Sequence, residues 1–185
     1  FAGNNPIWAI DRDGLEEEKI NPEQITAGAE KGIEKANSSQ RSLDENGKCA
    51  AACNIATRTA VQNITGSKSL FPVSAGGQVV GNGQANTIGT SLANGEVKDF
   101  KSLGVLTSDG QKGNVTPTQL QDAANNGEVI IGVYNSSASG GGGHIVMVVP
   151  GTLSRKGLPQ ILESGVNHRS SKTGLETNTG SNTRK

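Results

Sequence analysis

Aromatic residues make up only 3% of this 185-residue chain, and Lys plus Arg equals Asp plus Glu at 17 each. With few stacking rings and no positive field, the composition argues against nucleic acid as a partner. No run of about 18 apolar residues occurs, so no segment reads as a transmembrane helix. The two cysteines, Cys49 and Cys53, are too close in sequence to constrain much as a bridge, and no disulfide framework is expected. A Cys-x3-Cys pair combined with the two distant histidines, His144 and His168, fits no usual zinc spacing, so neither a metal nor another cofactor is predicted. Phe1-Ala2-Gly3-Asn4-Asn5 has neither the basic nor the apolar region of a signal peptide. If the domain acts outside the cytoplasm, something else is expected to carry it there.

Glycine, by contrast, is abundant at 26 residues, and the core must be built from Ile, Val, Leu and Ala. Together with the length, this predicts one loop-rich domain of ordinary size. Asn21, Pro22 and Gln24 have the spacing of a helix start, and Ile25, Ala29, Ile33 and Ala36 recur as a narrow apolar stripe ending near Asn37. A second helix-compatible stretch runs from Cys53 to Val61, a third from Ala85 to about Leu92, and a fourth from Thr116-Pro117 to Asn125. Residues 38–48 read as a loop, and the Gly-punctuated stretch between Gly66 and Gly113 as cleft walls. Three strands follow in sequence, over 128–134, 144–149 and 160–163, most simply as an antiparallel meander. Gly140 to Gly143 is no phosphate loop, since no Lys-Ser/Thr and no helix follow it. It reads as backbone that passes close to a substrate. Beyond Gly165 the chain reads as a polar tail, mobile near Lys185, in which His168 is solvated.

The chemistry rests on Cys53 and His144. A thiol at a helix start meets unpaired N–H groups and a partial positive charge, which favour the thiolate. An imidazole at the start of the apolar strand His144-Ile145-Val146-Met147-Val148-Val149 can take its proton and later return it. Cys49 is assigned the plainer role of a small buried hydrophobe. Cys53 is followed by a polar Asn54 and then by Ile55, Ala56, Ala60, Val61 and Ile64, which predicts a helix packed inward with its first residue facing an opening. A third group should hold the ring of His144 in its working tautomer. Gln160, Glu163 and Asn167 are candidates. Glu163 is preferred, because it sits at the expected strand end before Ser164-Gly165. The backbone N–H of Cys53 is the first expected oxyanion donor.

The pieces Cys53-Asn54-Ile55, Ala85-Asn86, Asn125 to Ile131, and Gly143-His144-Ile145-Val146-Met147-Val148 together resemble bacterial peptidoglycan amidases of the papain-like, CHAP-like group. That resemblance implies an α+β fold, with N-terminal helices packed on a small antiparallel sheet. It implies Cys53 as nucleophile and His144 as base. The chain departs from the group after Asn54, where Ala56 and Thr57 stand in place of an aromatic residue.

A second resemblance lies at the N-terminus. Pro6, Asp11, Gly14 and Leu15 keep the spacing of the P-x-x-x-x-D-P-x-G-L pattern that closes the core of Rhs/YD-repeat proteins, with Arg12 at the second proline. It implies that residues 1–15 are the end of a shell that cleaves itself after Leu15, with Asp11 and Asp13 involved, and that residues 16–185 are its toxin cargo. Taken together, the two resemblances imply a secreted toxin that hydrolyses amide bonds of peptidoglycan stem peptides in the periplasm of a target bacterium. An immunity protein would be a further partner. A protease or deamidase aimed at a cytosolic protein, and a non-catalytic binding module, are the alternative expectations.

Overall fold

The computed structural model describes residues 5–10, 20–39, 52–66, 85–97, 100–106, 115–134, 144–165 and 168–174. These form an α+β arrangement of four helices and a six-stranded sheet. The helices are α1 (Pro22–Ser39), α2 (Ala52–Thr65), α3 (Ala85–Ala93) and α4 (Pro117–Asn125). The strands are β1 (Asn5–Ile10), β2 (Phe100–Leu106), β3 (Ile130–Tyr134), β4 (His144–Val148), β5 (Gln160–Gly165) and β6 (His168–Gly174). Their order across the sheet is β2-β1-β3-β4-β5-β6, with every neighbouring pair antiparallel.

α1 begins where its capping residues dictate. The Asn21 side chain accepts from the Glu23 N–H at 2.9 Å, and Gln24 Oε1 accepts from the Asn21 N–H at 3.3 Å. Two orphan donors of the first turn are thereby satisfied. The stripe of Ile25, Ala29, Ile33 and Ala36 is buried throughout. α2 packs against it antiparallel: Gly28 lies beside Ile64 and Ala60, and Gly32 beside the backbone of Ala56. Small residues on both helices let the two backbones approach closely.

The sheet is covered on both faces, so its strands read as nearly continuous apolar runs. Alternation along β3, β4 and β5 sends Ile131, Val133, Ile145, Met147 and Leu162 into one core with α1, α2 and α3. The intervening Ile130, Val146, Val148 and Ile161 join Leu120 and Ala124 of α4 on the opposite face. Fully burying one such aliphatic side chain contributes about 1.5–3 kcal/mol.

α4 is fixed by a capping box between Thr116 and Gln119 and by two side-chain amides. Gln121, buried, donates from Nε2 to the Val149 carbonyl at 2.9 Å and accepts the Gln160 N–H at 2.8 Å. It thus stands in for a peptide group where β4 and β5 part. Asn125 binds both backbone groups of Gly151, at 3.0 and 2.8 Å. The chain then turns at Gly127, whose φ of +90° suits glycine and against which the Ile20 carbonyl packs.

The three expected strands are present, but the sheet is twice as large as the sequence suggests. β1 lies inside it, paired to β2 on one side and β3 on the other. Leu15, where a boundary is expected, lies outside the described residues, as do Asp11 and Asp13. β2 falls in a stretch expected to form only cleft walls. β6, expected as part of a polar tail, pairs with β5 from Gln160↔Gly174 to Gly165↔His168. Backbone pairing along an open edge needs no apolar pattern, which is why hydropathy does not reveal β6.

Candidate active site

Cys53 sits in the first turn of α2, as the sequence predicts. Its residue surface is only 7% exposed and it belongs to the core shared by α1, α2 and α3. The expectation that it faces an opening is therefore not met among the described residues. Cys53 falls on the inward stripe with Ala56 and Ala60, at a helical spacing of three and four. Its thiol donates to Asn54 Oδ1 at 3.5 Å.

His144 is half-buried at the first position of β4, opposite Tyr134 of β3. The hairpin of α1 and α2, on which Cys53 lies, packs on β4 and β5. α1 starts beside Gly127, just before β3 begins, and α2 runs back from the other end of α1 onto β4 and β5. Across the sheet the relationship is different. The pleat puts His144 on the face of Val146 and Val148, whereas Cys53 belongs to the core on the face of Ile145 and Met147. For the ring to meet the thiol, it must turn round the first residue of β4.

Gln160 is removed from the third-member candidates. It lies at the start of β5 with its carbonyl bonded to the Val149 N–H, at the end of β4 away from His144, and its own N–H is engaged by Gln121. Glu163 lies farther along β5 toward the His144 end, its backbone paired with Ser171. It is not a strand-terminal residue, because β5 continues to Gly165. Asn167, Cys49 and the glycine run 140–143 lie outside the described residues. His168 begins β6, opposite Gly165, rather than a tail.

One polar residue of the site stands apart from the expected set. Asn54 is 6% exposed, and its Nδ2 is buried with no hydrogen-bond partner among the described residues. The available signal was a polar residue in line with Thr57 and Val61, on a helix already expected to pack inward.

Glu96 follows α3, whose end is a Schellman motif: Glu96 N–H to Ser91 O at 2.9 Å, and Gly95 N–H to Leu92 O at 3.0 Å. Hydrogen bonds from the side chains of Ser91, the larger influence, and of Asn94 hold its carboxyl below the usual carboxylate range. Among the described residues, no group of three or more His, Cys, Asp and Glu is placed to hold a metal ion, and no helix is long and apolar enough to cross a membrane.

No known protein family, curated protein or solved structure matches this chain.

Proposed function

We propose that the protein is a cysteine hydrolase of papain-like design that cleaves amide bonds in peptidoglycan stem peptides, delivered as the toxin cargo of an Rhs-type shell. The observation that carries the reading is the position of Cys53 in the first turn of α2, a helix laid across the strand that His144 opens. The Cys53 thiolate would attack the amide carbonyl, forming a C–S bond and a tetrahedral oxyanion. The oxyanion would be stabilised in part by the Cys53 N–H. His144 would give its proton to the departing amine and then draw one from the water that releases the acyl group. Glu163 would orient the ring. An immunity protein covering the site, and action in the periplasm of a target bacterium, complete the proposal.

Digestion of purified sacculi by the wild-type protein and by Cys53→Ala tests it. Release of new muropeptide termini by the wild type alone supports it, and unchanged cell wall with both overturns the substrate class. Expression with and without a periplasmic export signal separates a wall target from a cytosolic one. Lysis only on export supports the wall.

One observation favours a second reading, a binding module in which Cys53 is structural: the residue is buried in a core on the sheet face opposite His144. A structural thiol reacts slowly with an alkylating probe at mild pH.

A further inference from the structure

The carboxamide of Asn54 is half satisfied. Its Oδ1 accepts the Cys53 thiol proton at 3.5 Å, while its Nδ2, with the residue 6% exposed, has no partner among the described residues. A buried donor left without an acceptor costs about 1–3 kcal/mol. An aliphatic side chain at this position would avoid that cost. The amide therefore matters in a state other than the one with a neutral thiol.

That state is the thiolate. Once the sulfur loses its proton it becomes an acceptor, and the contact to Oδ1 turns from a hydrogen bond into a repulsion between two electron-rich atoms. A half-turn about the last torsion of Asn54 exchanges Oδ1 for Nδ2, and an N–H then points at the sulfur. The side chain is nearly symmetric in shape, so the exchange needs no new volume.

We infer that Asn54 is a positioning residue for Cys53, its carboxamide accepting from the thiol and, turned over, donating to the thiolate. Among the described side chains of α1 and α2, no buried charged group takes this part. On α1 the charged residues Glu23, Glu30, Lys31, Glu34 and Lys35 are all exposed, as is Arg58 of α2 itself. His144 of β4 is the titratable group at this end of the sheet among the described side chains, and that of Glu163 on β5 lies outside them. In the proposed hydrolysis the thiol proton passes to His144. With iodoacetamide it passes to buffer as the C–S bond forms and iodide leaves.

The inference rests on the reading of Cys53 as a nucleophile, and the experiment separates the two. The full chain and its Asn54→Ala and Asn54→Asp variants are alkylated with iodoacetamide from pH 5 to pH 10, and the Cys53 peptide is followed by mass spectrometry. Asn54→Ala should move the pH midpoint of alkylation upward, with the rate at pH 7 falling about threefold to tenfold, since one unit of midpoint is a tenfold change in thiolate at low fractions. Asn54→Asp keeps the shape and the acceptor but adds a negative charge, and should move it further. If the alanine variant does not melt cooperatively, the isosteric aspartate carries the test. A wild type that reacts with the same midpoint as its variants overturns the inference and leaves the nucleophile reading standing. A wild type whose Cys53 resists alkylation until the protein unfolds overturns both.

Discussion

Gly32 of α1 lies against the carbonyl oxygen of Ala56, one turn into α2 from Cys53, so closely that a Cβ on Gly32 would overlap that backbone. This contact sets the spacing of the helical hairpin and so the seat of Cys53. Gly28, one turn earlier, would place its Cβ against Cγ1 and Cδ1 of Ile64 instead, a half-buried side chain rather than backbone. Both positions would gain about 1 kcal/mol in helix propensity from alanine. Overpacking against backbone costs about 1–3 kcal/mol, so Gly32→Ala should lower Tm by several degrees, and Gly28→Ala, where a side chain can shift, by less. Thermal melts of the two variants compare them directly, and equal effects would contradict the close approach.

Gln121 offers a second test. Gln121→Met keeps the volume but strips partners from the Val149 carbonyl and the Gln160 N–H. Two unsatisfied backbone groups should cost about 2–6 kcal/mol in a denaturant titration. Hydrogen exchange at the Gln160 amide should accelerate with it. A variant as stable as wild type would show that the clamp does not hold α4 to the sheet.

A chain of residues 16–185 lacks β1 and exposes the facing edges of β2 and β3. It should melt at lower temperature than the 185-residue chain or associate through those edges. Light scattering and calorimetry read both outcomes. Adding back a peptide of residues 1–15 should restore the melt. If the shorter chain is monomeric and equally stable, β1 is not part of the folded unit.

Glu96 supplies a pH dependence of defined sign. Its carboxyl is held low by Ser91 and Asn94, so the stability it adds is present above the usual carboxylate range and is lost as pH falls through its lowered value. The group is fully exposed, and the effect is small. The Tm gap between wild type and Glu96→Gln should close as pH falls from 7 to 3. A gap that persists or widens contradicts the assignment.

Much of the helical layer is legible in the sequence, because capping residues and apolar spacing are local. Asn21-Pro22 and Thr116-Pro117 mark starts found in the structure within a residue, and Ile25, Ala29, Ile33 and Ala36 form the buried stripe they predict. The sheet is less legible. β1 depends on partners far along the chain, and β6 is His168–Gly174, a polar segment beside its partner β5 that carries no apolar pattern. Of the site, the positions of Cys53 at a helix start and His144 at a strand start follow from local pattern. The face each occupies does not, because a single residue of register sends a side chain to the other side of a sheet.

The central claim is that His144 takes the proton of Cys53, and the rate of Cys53 alkylation as a function of pH, in wild type and in His144→Gln, tests it most directly. The account predicts that Cys53 reacts at lower pH in the wild type than in the variant, and that muropeptide release is lost in the variant. Identical profiles for the two proteins, or Cys53 unreactive in both, would contradict it.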